Sequence, residues 1–268
     1  MRPPDASRAG REVELLAGPH AVCEAVRAGR RAIHRLLVSR REGVPLVAEI
    51  LADAEARRIP VEGRSRAELD RLVQGGIHQG IVAEAGPYPY ADPDEILERV
   101  LGRKPPGWFL ILDEVQDPQN LGAIVRTAEA AGAAGLAMPR DRAVAVTAAA
   151  VRASAGATEH LAIARVTNLA SFLGEAKRRG IWVAGAAAEG ARELYVADLT
   201  GPLALVVGSE GRGLRPLTRR ECDFLVRIPM LGRVGSLNAS AAAAVCIYEI
   251  VRQRAAIRSS EGSSEGSG

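Results

Sequence analysis

From Trp108 onward, short apolar runs alternate with segments of helical period. The runs are WFLILDEV (108–115), LAMP (136–139), LAIARV (161–166), IWVAGAA (181–187), LALVVG (203–208) and FLVRIP (224–229). Between them lie a helix from Asn120, an Ala-rich helix, LASFLGEAKRRG, a helix near 214–222, and a long helix from 236 to about 256. This alternation leaves few folds open. Strands joined through helices form a mostly parallel sheet covered on both faces, so the expected class is α/β. Ligands of such sheets seat beyond the carboxyl ends of the strands, which points to the loops after residues 115, 208 and 229.

Residues ahead of this segment predict a smaller α/β domain. A helix at about 19–28, a strand at 35–39, helices at 45–59 and 65–74 and a strand at 81–85 follow from apolar spacing. The breakers of GPYPYADP (86–93) end it. The expected organisation is a disordered tail over 1–12, a first domain over 13–88, a linker over 89–107, a second domain over 108–257, and a disordered Ser/Gly/Glu tail over 258–268. Composition matters here by exclusion. No apolar run approaches the ~20 residues that cross a bilayer, and MRPPDASRAGREVE has no apolar signal region. Cys23, Cys222 and Cys246 are widely spaced without CxxC, and His20, His34, His78 and His160 are scattered, so neither a disulfide framework nor a metal site is expected. A cytoplasmic chain without metal or membrane partner is the expectation.

Three loops carry the chemistry. After the strand at 108–115, Asp117 and Pro118 fit a turn, Asn120 suits a helix cap, and Arg126 follows among apolar neighbours. Read plainly these are a cap and a surface arginine; read functionally they face a substrate phosphate or hydroxyl. After 203–208 comes Gly208-Ser209-Glu210-Gly211-Arg212-Gly213, whose glycines allow close backbone approach to a ligand. The order is not that of dinucleotide folds, and Glu210 suits a cation or hydrogen-bond donor better than a phosphate. After 224–229, Ser236 and Asn238 stand before a run of small residues. Either could simply cap the last helix.

Taken together, LDEVQDPQNLGAIVRTAEAAGA (112–133), LVVGSEGRGL (205–214) and CDFLVRIPMLGRVGSLNASAAAAVCIYEI (222–250) resemble the three motifs of the SPOUT superfamily. The likeness is to its SpoU/TrmH-type RNA 2'-O-ribose methyltransferases, and most to the group acting on guanosine in 23S rRNA. LAGPHAVCEAVRAG (16–29) and GGIHQGIVAEA (75–85) are similar to the substrate-binding domain of the large-subunit rRNA enzymes, itself similar to a small RNA-binding ribosomal protein. The resemblance implies a C-terminal trefoil knot, a homodimer whose subunits complete each other's sites, and S-adenosyl-L-methionine as cofactor. It implies cofactor contacts from Gly208, Ile228 and Leu237, with Met230 a neighbour, and catalytic roles for Asn120, Arg126, Glu210, Ser236 and Asn238. All of this requires the turns near 117–126, 208–213 and 230–238 to meet in space.

The implied partner is 23S rRNA or its precursor particle. Net charge is only +3, but 35 basic residues include just two lysines. Arginine suits bidentate phosphate contact. Arg27, Arg30, Arg31, Arg35, Arg40 and Arg41 face the single acid Glu24 in residues 23–41, so Arg27, Arg30, Arg31 and Arg35 are candidate RNA contacts. No aromatic residue accompanies them in sequence. Competing readings are a 2'-O-methyltransferase for tRNA or an antibiotic-binding rRNA site, an inactive RNA-binding scaffold, and a nucleotide-binding oxidoreductase.

Overall fold

The computed structural model describes residues 13–39, 45–74 and 76–264, with side chains as far as 257. The expected tail over 1–12 lies outside this range, as do Arg40 and Arg41. The chain divides into two compact units between Pro89 and Tyr90.

The first unit has strands β1 (Glu14–Ala17), β2 (Ile33–Ser39), β3 (Val61–Arg64) and β4 (Ile81–Ala85) in the order β1-β4-β2-β3. Its helices are α1 (Pro19–Ala28), α2 (Pro45–Ala56) and α3 (Arg66–Leu72). Gly18 at φ 101° and Gly29 at φ 60° bracket α1, positions where a Cβ would be strained. Ser65 and Glu68 form a reciprocal capping box on α3. Sequence periodicity missed β1 and β3. The second is an edge strand of sequence VEGR with no continuous apolar face.

In the second unit, seven strands run parallel in the order β7-β6-β5-β10-β8-β11-β9. They are β5 (Trp108–Asp113), β6 (Leu136–Pro139), β7 (Ile163–Val166), β8 (Trp182–Ala186), β9 (Arg192–Glu193), β10 (Leu203–Gly208) and β11 (Phe224–Arg227). Every residue of the central β5 and β10 is buried, as expected of strands covered on both faces. The helices are α4 (Pro93–Leu101), α5 (Pro118–Ala130), α6 (Ala148–Ala153), α7 (Leu169–Arg178), α8 (Pro216–Glu221) and α9 (Ala239–Ser264).

Two boundaries differ from the sequence reading. Helix α4, assigned to a linker, is a core element whose buried Ile96, Leu97 and Val100 pack with Phe109 and Ile111. The helix itself follows from DEILERVL (94–101) in sequence; its place in the core depends on β5 residues that pack against it. Helix α9 continues through Ser264, past the expected start of the tail at 258. Among the described residues no helix is long and apolar enough to cross a membrane, and no group of three or more His, Cys, Asp or Glu is placed to hold a metal.

Candidate active site

Because all seven strands are parallel, the loops following β5, β10 and β11 emerge at one edge of the sheet. Asp117, rather than Asn120, caps α5: its carboxylate accepts the amides of Gln119 (3.0 Å) and Asn120 (3.3 Å), with Pro118 at the first helical position. Asn120 is thus inside the first turn, with its side chain available for another partner. After β10 the chain closes tightly, Ser209 and Gly213 exchanging both backbone hydrogen bonds at 3.2 and 3.0 Å. A Cβ on Gly208 would lie 2.2 Å from the Gly213 carbonyl carbon, so only glycine fits there.

Asn238 ties the loops together. Its Oδ1 accepts the amides of Ser240 (2.9 Å) and Ala241 (3.4 Å) and the Ser240 hydroxyl (2.6 Å), capping α9. With Oδ1 so engaged, Nδ2 faces two acceptors: Asn120 Oδ1 at 3.0 Å and Glu210 Oε2 at 3.3 Å. Asn238 therefore caps α9 and reaches the other two loops at the same time. One amide orients two further site residues, and one residue from each loop meets there.

Beside this node is a cavity of about 320 Å³, large enough for a small cofactor. Gly208, Ile228, Met230 and Leu237 line it, together with Glu210 and Ser236. Val207, Leu214 and Val226 supply apolar wall, and the Glu189–Arg219 ion pair stands at its margin. The three-glycine turn allows close backbone approach, and the cavity combines an apolar wall with two carboxylates, Glu189 and Glu210, and two arginines, Arg212 and Arg219. Arg126 is not brought to this cavity. It is exposed on α5 with no side-chain bond among the described residues. Six residues beyond Asn120, it sits about 240° further round the helix.

Sequence reasoning missed Asp113 and Arg215. Asp113 is fully buried at the end of β5, and accepts the Arg215 backbone amide at 2.9 Å and its Nε at 2.6 Å. The signal was an acid closing the otherwise apolar run WFLILD. A buried carboxylate requires a partner, which here arrives from 102 residues away.

The first-unit arginines are arranged differently from the expectation of an open basic face. Arg31, its side chain 1% exposed, pairs with Glu14 at 2.7 Å. Arg35 bridges Glu62 at 2.7 Å and holds both oxygens of Glu84 at 2.8 and 2.7 Å. Arg27 is half-exposed but faces Glu49 at 2.8 Å and Asp53 at 3.5 Å. Arg30 donates to the Pro89 carbonyl at 3.3 Å. Tyr88 lies 5.9 Å from the Arg30 guanidinium and 5.1 Å from that of Arg31, contrary to the expectation that no aromatic accompanies them. The counter-charges come from other strands and helices, so the local count of one acid did not reveal them.

Comparisons with known proteins point to one family. Residues 107–248 match the SpoU rRNA Methylase family, and residues 15–91 match the family described as RNA 2'-O ribose methyltransferase substrate binding. The chain is 42% identical over 246 residues to the 23S rRNA (guanosine-2'-O-)-methyltransferase RlmB of Pseudomonas putida, covering 91% of this chain and 98% of that protein. It is also 42% identical over 241 residues, 90% of this chain and 96% of the other, to a TrmH family protein of Bacillus subtilis, YacO, whose name leaves tRNA and rRNA both open. Among solved structures, the SpoU methyltransferase AviRb from Streptomyces viridochromogenes in complex with AdoMet matches with a TM-score of 0.75. The sequences are 30% identical, and the match covers 94% of this chain and 95% of that one.

Proposed function

The chain belongs to the SpoU rRNA methylase family, and on that premise we propose that it methylates the ribose 2'-hydroxyl of a guanosine in 23S rRNA. It is an RNA 2'-O-ribose methyltransferase, and its cofactor is S-adenosylmethionine. The observation that carries the site assignment is the Asn238 node, joining Asn120, Glu210 and the head of α9 beside the cavity.

Gly208, Ile228, Met230 and Leu237 would hold the cofactor, which supplies a methyl group on a positively charged sulfur. In the reaction a bond would form from the ribose 2'-oxygen to the methyl carbon as the carbon–sulfur bond breaks, leaving a neutral thioether, and the hydroxyl proton would pass to solvent water. Aligning the three reacting atoms is worth up to ~7–11 kcal/mol of the barrier. Glu210, held by Asn238, keeps one carboxylate oxygen clear of that bond, and Ser236 stands on the same cavity wall. A guanidinium stays protonated in proteins, so the role of Arg126 is to bind and orient the target phosphate and ribose. Its position away from the cavity of its own chain supports the homodimer: Arg126 of one copy serves the site of the other. Exposed Leu231, Val234 and Tyr248, beside that site and along α9, supply apolar surface for such an interface. The C-terminal trefoil knot and a cytoplasmic location belong to the same proposal.

The test is to incubate the protein with S-adenosylmethionine and unmodified 23S rRNA or tRNA, then map 2'-O-methyl groups. A single 2'-O-methylguanosine in 23S rRNA is expected. Methylation confined to tRNA, or placed on a base, would overturn the substrate assignment. Tighter binding of NAD than of S-adenosylmethionine would restore the oxidoreductase reading.

A further inference from the structure

A second cavity of about 270 Å³ opens at the same edge of the sheet, beyond the ends of β6 and β7. Leu214 lines the first cavity and the next residue, Arg215, lines the second, so the two cavities share one stretch of chain. Arg215, Arg142, Thr167 and Asp141 supply its polar walls, and the first turn of α7 closes one side. From this arrangement we infer that the second cavity seats a backbone phosphate of the RNA substrate, on a nucleotide flanking the one being methylated.

The site is built rather than incidental. The Arg215 guanidinium is anchored at Nε by the fully buried Asp113, which also holds its backbone amide, so the side chain is fixed before any ligand arrives. Pre-organising a planar donor in this way lowers the cost of binding an anion. Arg142 faces it with a side chain 72% exposed and one long ion pair, Nη1 to Glu114 at 3.7 Å. The same Glu114 oxygen is 3.6 Å from Arg215 Nη1. Neither distance is a hydrogen bond, so both guanidinium groups keep donors for a further acceptor. Asp113, Glu114 and Asp141 set three carboxylates against the two arginines, so an anion is held here by directed guanidinium donors and not by an excess of positive charge. The exposed Thr167 hydroxyl and the positive end of the α7 dipole add donors at the opposite wall.

The contrast with the first unit strengthens the choice. There Arg27, Arg31 and Arg35 each lie within 2.8 Å of a carboxylate. Around the second cavity Arg215 is likewise paired, through Nε with Asp113 at 2.6 Å, but Arg142 meets a carboxylate only at 3.7 Å among the described residues and stays exposed. Phosphate contacts fix the register of a nucleic acid on its protein, and a seat sharing the 214–215 stretch with the methyl-transfer cavity would set which ribose enters it.

This inference rests on the RNA methyltransferase reading, and the experiment separates the two. R142E and, as a charge control at the opposite edge of the sheet, R178E are compared with wild type. Readouts are S-adenosylmethionine affinity, steady-state methylation of 23S rRNA, and RNA affinity across a salt series. R142E is expected to raise KM for RNA tenfold or more with kcat and cofactor affinity unchanged, and to flatten the salt slope by about one contact, ~0.7–0.9. R178E should change KM less than threefold. Equal effects of the two variants, or an unaltered KM and slope in R142E, would overturn the phosphate seat. Absence of methylation by wild type itself would instead overturn the reading beneath it.

Discussion

At the scale of single residues, Asn238 joins a structural role to the chemical role proposed for it. Its Oδ1 is committed to the head of α9, which fixes its Nδ2 toward Asn120 and Glu210. The two roles separate by substitution. N238A loses the cap, costing about 1 kcal/mol, as well as the link. N238D keeps an acceptor for the cap but turns a carboxylate on Glu210. N238D should melt close to wild type while its methyl-transfer rate falls at least tenfold; an active N238D would detach Asn238 from the chemistry. Residue identity also misleads, most sharply at Arg31. Arg31 looks like an RNA contact in sequence, but is buried against Glu14, so reversing its charge would place two carboxylates together and destabilise the unit.

At the scale of elements, the turn after β10 is set by glycine. Gly211 (φ 82°) and Gly213 (φ 66°) occupy left-handed backbone, and Gly208 has no room for a side chain. G208A must push the Gly213 backbone away and open the cofactor cavity. Affinity for S-adenosylmethionine, read by calorimetry, should drop tenfold or more while circular dichroism stays native. Undiminished affinity would place the cofactor elsewhere. These strands and turns were legible beforehand: β6 and β10 emerge at the residues the sequence marked, because continuous apolar runs bounded by breakers have few alternatives. The short β1, β3 and β9 were not. Their residues are held by pairing with neighbours rather than by their own pattern.

At the scale of the whole molecule, the placement of Arg126 away from its own cavity makes the proposed homodimer testable through function. R126A and E210Q should each be nearly inactive. Mixed and allowed to exchange subunits, they form hybrids in which one site combines an intact Glu210 with the other copy's intact Arg126. About a quarter of wild-type activity should return for random exchange. No recovery, with exchange verified by mass, would place Arg126 in the site of its own chain.

The sequence alone determined the α/β class, the edge of the sheet from which the three loops emerge, and the residues those loops carry, because hydrophobic period and turn residues are local properties. Tertiary structure alone decided which charges remain available. Arg27, Arg31 and Arg35 are neutralised by acids brought from other elements, Arg215 is fixed by Asp113 across 102 residues, and Arg142 is left open beside it. The field at an arginine depends on what lies within a few ångströms in space, and chain order does not record that distance.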